Sequence, residues 1–316
     1  MNKYDAWEKY AEYEYQENGR HARRFGDKGR KRRQEAEARS ALADISDNIQ
    51  DWVPTYAQSL DPRHHERQWV IESVGPFYRQ ELISDVTRVV KAGKEANVYT
   101  CEATPQTGHE LLAAKLYRPR MLRHLKNDAV YKAGRDLVDT EGKLIKGRRV
   151  RVALQKKTSF GQKVDIQWWI GNEYRSQQTL YEAGADVPEP LAFEGTAILM
   201  EYVGDEYMAA PLLNDVTLTP AEAQPLFRRV MDNVALMLDL HFVHGDLSAY
   251  NILYWHGRIT IIDFPQLVEA RHNPNAFMLL QRDIQRVCDY FTQFGVTADP
   301  VQLTLDLWEP YMGRNW

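Results

Sequence analysis

The alternation of apolar and polar positions divides the chain into stretches of different texture. Residues 1 to about 50 show no sustained apolar period. Acids come first (Asp5, Glu8, Glu12, Glu14, Glu17), then bases (Arg20, Arg23, Arg24, Lys28, Arg30, Lys31, Arg32, Arg33), the pattern of a solvated arm. Over 62–82, Trp69, Val70, Val74, Phe77, Tyr78 and Leu82 recur at helical spacing, with an interruption expected at Gly75-Pro76. Runs at 86–90, 98–103 and 111–117, separated by turns at 92–97 and TPQTGH, predict three antiparallel strands. A helix is expected over 166–183, with Ile170, Tyr174 and Tyr181 on one stripe and Gly184 to end it. A strand follows at 197–203, then an apolar helix over 221–240 carrying Leu226, Val230, Val234, Met237 and Leu238. ILYWHGRITIID predicts a hairpin turning at His256-Gly257.

Between 119 and 165 no period stands out, and charge becomes the informative property. From 143 to 163 every charged residue is basic: Lys143, Lys146, Arg148, Arg149, Arg151, Lys156, Lys157 and Lys163. This stretch reads as a long insertion. With 316 residues, 44% hydrophobic and 27% charged, the chain has material for two structural units. A net charge of −4 gives no global pull toward nucleic acid or an anionic membrane. Cys101 and Cys288 lie far apart without metal-ligand spacing, which suits free thiols in a reducing compartment. The start, MNKYDAWEKYAEYEY, has no apolar run of signal-peptide type, and no stretch approaches the roughly 18 apolar residues of a membrane span. A cytoplasmic protein is expected.

The clearest chemical signal is His244-Gly245-Asp246-Leu247-Ser248-Ala249-Tyr250-Asn251, followed after the hairpin by Ile261-Ile262-Asp263. It resembles the H-R-D-L-x-x-x-N and D-F-G pair of protein kinases. One tight loop can bring the Asp246 carboxylate and the Asn251 carboxamide together, and the hairpin returns Asp263 beside them. Hard oxygen donors at Asn251 and Asp263 suit magnesium, leaving Asp246 to accept or orient the proton of an attacking hydroxyl. As isolated residues these would read as turn caps; their joint order and spacing favours catalysis. A metal reading of His241 and His244 lacks the Glu of H-E-x-x-H. They read instead as a helix-end residue and a core or loop-supporting histidine.

Between the first two strands, Gly93, Lys94, Glu95, Ala96, Asn97 and Val98 take the place of a phosphate-covering loop, with a single glycine. Lys115 on the third strand matches the V-A-I-K lysine, and Glu173 on the next helix is its candidate partner. The strand ILMEYVG breaks into a glycine and reads either as a plain core strand or as an interlobe hinge, whose backbone at Glu201 and Val203 would meet the adenine edge while Met200 guards the back of the pocket.

Together GKEANVY, AAKLY, ILMEYVG, APLL, HGDLSAYNILY and IIDFPQLVE resemble the RIO-type atypical serine/threonine kinases, nearest the first RIO subgroup, over residues 85 to 290. The resemblance implies an α+β, two-lobed kinase-like fold. Residues 1–84 would be a charged helical extension, 85–203 an antiparallel-sheet lobe with a basic insertion at 119–165, and 204–316 a truncated helical lobe. It implies ATP and Mg2+, serine/threonine kinase or ATPase activity, and a role that in many relatives is small-subunit ribosome maturation. It assigns proton acceptance to Asp246 and a magnesium ligand to Asp263, which in the family can itself take the phosphoryl group. Two departures stand out: Gly245 replaces the Arg of H-R-D, and Phe264-Pro265 follows Asp263.

Three functions compete. One is a kinase acting on protein hydroxyls; another is an ATP-hydrolysing switch in a ribonucleoprotein assembly. The third is a catalytically idle scaffold for nucleotide and RNA, with RNA contact through 20–33 and 143–163 by phosphate neutralisation. The intact set Lys115, Asp246, Asn251 and Asp263 argues against the scaffold. A small-molecule phosphotransferase of the aminoglycoside-kinase kind shares H-G-D and I-D-F patterns, and GKEANVY with APLL favours the RIO reading.

Overall fold

The computed structural model describes residues 52–60, 65–118 and 159–315. The basic segments expected at 20–33 and 143–163 fall outside the described residues, apart from the backbone at 159–163.

The first lobe is built on five strands: β1 (Ile83–Ala92), β2 (Ala96–Ala103), β3 (Leu111–Tyr117), β4 (Pro190–Glu194) and β5 (Ala197–Glu201). They form one sheet in the order β1-β2-β3-β5-β4, antiparallel throughout. Two short turns explain the first pairings. Gly93 donates its amide to the Ala96 carbonyl at 3.0 Å. A Cβ added there would lie 2.6 Å from that oxygen, so the turn requires glycine.

Helices α1 (Thr55–Gln58) and α2 (His65–Arg79) precede the sheet, and α3 (Ser159–Glu182) follows β3. Strand side chains alternate between faces, and each face has its own helix. Val70, Val74 and Phe77 of α2 share a core with Tyr99, Cys101, Leu112 and Leu199. Trp169 and Ile170 of α3 share another with Tyr117 and Ile198. Sequence 65–84, expected to be an extension, therefore contributes Val70, Val74, Phe77 and Ile83 to the first lobe's core.

Three expectations need correction. The helix at 62–82 is not interrupted at Gly75-Pro76; α2 runs through Pro76. Proline removes one ladder hydrogen bond, and the complete burial of Val74 and Phe77 on either side offsets that loss. The helix expected at 166–183 begins at Ser159 instead, and Tyr181 is exposed. Its buried stripe runs through Trp169, Ile170, Glu173, Ser176, Gln177 and Leu180. Polar residues occupy that face, so hydrophobicity alone pointed one position too far around the helix. The strand expected at 197–203 stops at Glu201.

The second lobe holds α4 (Pro220–Asp239), β6 (Phe242–Val243), the hairpin β7 (Ile252–Trp255) and β8 (Arg258–Ile261), β9 (Val268–Glu269), α5 (Ala276–Thr292) and α6 (Pro300–Asn315). Thr219 and Glu222 close a capping box at the start of α4 with Pro220 in its first turn, which fixes where the helix begins. Its apolar stripe (Leu226, Val230, Val234, Met237) packs with Ile284, Val287 and Phe291 of α5 into one core. The α+β, two-lobed expectation holds.

Phe77→Ala tests whether α2 belongs to that core. Removing this fully buried ring is expected to destabilise the protein by about 3–5 kcal/mol. Urea denaturation measures it; a loss below about 1 kcal/mol would mean α2 is dispensable.

Candidate active site

Short local turns place the loop from His244 to Asn251. After α4, His241 sits at φ 65 and Gly245 at φ 78; only the second is at ease in the left-handed region. Ser248 caps a single 3-10 turn over Ala249–Asn251 by accepting from the Tyr250 amide. That turn directs the Asn251 side chain back, and its Nδ2 donates to the Asp246 carbonyl at 2.8 Å and reaches Oδ2 at 3.5 Å. Across the hairpin, the Ile262 amide donates to the Asn251 carbonyl at 2.9 Å. Asp263 follows at φ 73, a strained position for a residue with a Cβ. Phe264 is buried with its ring 5.3 Å from that of His244. The Leu267 amide donates to its carbonyl at 3.1 Å, so the chain turns sharply after Asp263.

His244 supports this arrangement. Its Nε2 is 3.3 Å from the Ile262 carbonyl, which can only accept, so Nε2 carries the proton. Nδ1 is then free to accept from the Asp246 amide at 3.3 Å. Burial holds the imidazole below its ordinary pKa, against the pull of the Ile262 carbonyl and of Asp263. This neutral tautomer ties one side of the site to the other.

Lys115 joins the lobes. It lies opposite Val98 and Ile198 in the sheet, on the face toward α3. Its Nζ donates to Glu173 Oε1 at 2.7 Å and to Asp263 Oδ1 at 2.6 Å. The Glu173 side chain is 2% exposed, that of Lys115 12% and that of Asp263 44%. Burial alone would lower the lysine's pKa, but the charges of Asp263 and Glu173 outweigh it and hold it well above normal. Burial pushes Glu173 up more than Lys115 pulls it down. For Asp263 the balance reverses, and Lys115 keeps the carboxyl below its usual range despite burial. Tyr117 donates its hydroxyl to Glu173 Oε2; burial and that carboxylate hold the phenol neutral.

The structure therefore brings Lys115, Glu173 and Asp263 into direct contact, and Asp246 with Asn251 into a second group joined to the first through Ile262. Asn97 goes elsewhere. Its side chain is buried on the opposite face of the sheet, bonded to the Tyr99 hydroxyl at 2.9 Å and to Arg118 at 2.8 Å. Only its backbone belongs to the turn that includes Gly93, Lys94, Glu95 and Ala96; Val98 faces the same side as Lys115. At the hinge, Met200 packs with the α3 cluster. The Glu201 amide is taken by the Glu189 carbonyl at 2.8 Å, and the Val203 carbonyl by the Ala210 amide at 2.9 Å. An open cavity of about 820 Å3 touches Glu201, Val203, Arg229 and Trp255 but not Lys115, Glu173, Asp246, Asn251 or Asp263.

Four residues that touch the site carry no signal in the sequence. Asp283 of α5 accepts from the Gly245 and Leu247 amides at 2.7 and 3.1 Å. Burial pushes its carboxyl up to about 7, while the two amides and Arg282 pull the other way. Arg282 donates to the Gly245 carbonyl, and Arg286 binds Asp246 Oδ1 at 2.7 Å. Their spacing of i, i+1 and i+4 puts all three on one helical face; a charged face on an otherwise amphipathic helix reads as solvated. Tyr117, the fourth, sits inside AAKLY but carries no motif role.

Comparison with known proteins follows this geometry. A family model described as RIO domain matches residues 97–303. The chain is 31% identical over 263 residues to serine/threonine-protein kinase rio1 of Schizosaccharomyces pombe, spanning 83% of this chain and 47% of that one. It is 30% identical over 250 residues to serine/threonine-protein kinase RIO1 of Homo sapiens, spanning 78% and 39%. The chain thus spans less than half the length of these relatives. The crystal structure of the Rio2 kinase–ADP/Mg2+–phosphoaspartate complex from Chaetomium thermophilum matches with a TM-score of 0.51 at 19% identity, covering 83% of this chain and 71% of that one. That likeness establishes the fold.

Lys115→Met leaves the buried Glu173 without its cation and is expected to cost about 3–5 kcal/mol at neutral pH. The deficit should narrow on acidification. In the wild type Asp263, whose folded pKa is lowered, stabilises above its unfolded pKa, and that contribution is lost as pH falls through the folded value. In the variant, burial lifts both carboxyls, and protonation relieves them. Urea titrations of both proteins at pH 7 and pH 4 read the gap; an unchanged gap contradicts the coupling.

Proposed function

The chain belongs to the RIO domain family, and on that premise we propose that it is a Mg2+- and ATP-dependent phosphotransferase, a serine/threonine kinase or an ATPase. The observation that carries this reading is the single ammonium of Lys115 held between Glu173 of one lobe and Asp263 of the other. Without ligand, one cation faces two anions there, so the site has a negative charge to spare. Among the described residues, Asp263 Oδ2 and Asn251 Oδ1 carry no protein hydrogen bond, and both are hard oxygen donors fit for magnesium. Held by those two oxygens, magnesium would supply neutralisation of the charge on the phosphates.

In this reading Lys115 moves from Asp263 to the phosphates while Glu173, steadied by Tyr117, retains it. Asp246 orients the attacking hydroxyl and accepts its proton. The 93–98 turn covers the phosphates, and the backbone of 200–203 meets the adenine edge. Gly245 in place of arginine leaves no guanidinium at that position to grip a phosphorylated activation loop. In the ATPase variant of the cycle, an Asp263 oxygen attacks the γ-phosphorus as ADP leaves, and water then cleaves the acyl-phosphate. Cys101 and Cys288, buried and unpaired, suit a cytoplasmic location. Among the described residues no helix is long and apolar enough to cross a membrane. A protein substrate or a ribonucleoprotein assembly is the proposed partner, with RNA contact through 20–33 and 143–163.

Purified protein given Mg2+ and γ-labelled ATP should turn the nucleotide over. Asp246→Asn and Asp263→Asn should each lower the rate at least about 100-fold. An acid-stable label on serine identifies the kinase. A hydroxylamine-sensitive label missing in Asp263→Asn identifies the ATPase cycle. No turnover, with or without candidate protein substrates, would refute the phosphotransfer reading.

A further inference from the structure

One charged side chain that no motif assigns touches the reacting end of the site. Arg286 Nη1 lies 2.7 Å from Asp246 Oδ1, with the arginine side chain 40% exposed and the aspartate 48%. By exposure this is a surface ion pair of little weight in folding. Its place in the loop's support argues for another role. Asp283 and Arg282 fix the backbone of Gly245 and Leu247, and His244 with Asn251 fixes that of Asp246. None of these contacts restrains the Asp246 carboxylate itself. The side chain has two partners, Arg286 at Oδ1 and the Asn251 amide at 3.5 Å from Oδ2. The second lies at the limit of a hydrogen bond.

We propose that Arg286 is a positioning residue for the proton acceptor, anchoring Oδ1 of Asp246 so that Oδ2 faces the accepting hydroxyl. The inference rests on the phosphotransfer reading and deepens it. A guanidinium stays charged at any working pH and is a rigid donor, so it holds the carboxylate in one orientation. The carboxylate so held orients the hydroxyl and takes its proton onto Oδ2 as the new O–P bond forms and the P–O bond to ADP breaks. A loose transition state asks for that order, because the nucleophile needs little activation.

The test compares wild type, Arg286→Ala and Arg286→Lys as full chains with Mg2+ and ATP. At saturating ATP, kcat should fall about tenfold in Arg286→Ala and recover in part in Arg286→Lys, with KM for ATP within about twofold of wild type. The melting temperature should stay within about 2 °C, which separates positioning from a structural role. A second measurement needs no turnover. The 13Cγ resonance of Asp246, assigned by its loss in Asp246→Asn, should shift in Arg286→Ala and return toward wild type in Arg286→Lys. If wild type is active and Arg286→Ala matches or exceeds its kcat, the positioning role is wrong while phosphotransfer stands. A resonance that does not move refutes the anchor directly. A wild type without turnover refutes the phosphotransfer reading, and the resonance alone then decides whether Arg286 holds Asp246.

Discussion

Two carboxylates from opposite lobes share the ammonium of Lys115, and this buried bridge sets the terms for everything around it. A lysine that is only 12% exposed keeps its charge because Glu173 and Asp263 sit at 2.7 and 2.6 Å; without them burial would neutralise it. The same contact limits how far the lobes can part, since Asp263 comes from the hairpin of the second lobe and Lys115 from the sheet of the first. A triphosphate carries the negative charge that can replace Asp263 as the lysine's partner. The Lys115–Asp263 contact is therefore the one that a nucleotide would exchange.

Around that bridge, the protein holds the 244–251 loop by two kinds of support. From beneath, α5 presents Asp283 to two backbone amides of the loop, a buried carboxylate satisfied by donors that cannot move independently of the chain. From the side, His244 in a single tautomer ties the Asp246 amide to the Ile262 carbonyl. Strain is stored where these supports meet, with Asp263 at φ 73. Phe264, the residue just after it, is buried against His244. The strained backbone is held because its neighbours are packed on both sides.

The first lobe reaches the same end through layering. Its sheet is sandwiched between α2 and α3, so its two faces serve different purposes. The α3 face carries Lys115 and Glu173, and the α2 face is a core closed at one end by the Asn97, Tyr99 and Glu66 hydrogen bonds. Alternation along β2 sends Asn97 to that second face. The turn before it contributes backbone to the site, and the asparagine side chain contributes stability.

Local order in the chain was enough to reveal the groups whose partners lie a few residues away. The loop from His244 to Asn251, the hairpin at His256-Gly257 and the return at Asp263 are short connections with few geometries open to them, and their spacing alone brings the groups together. The three strands, the lysine on the third and its glutamate on the next helix were legible for the same reason, each sitting in an element with a clear period or motif. Tertiary structure decided the contacts that span the chain. Arg286 reaches Asp246 across 40 residues and Lys115 reaches Asp263 across 148. It also decided that α2 completes the sheet's core and that Tyr117 steadies Glu173. Such pairings depend on which faces the packed helices turn inward, and on α3 and α5 those faces carry charged or polar residues that hydropathy assigns to solvent.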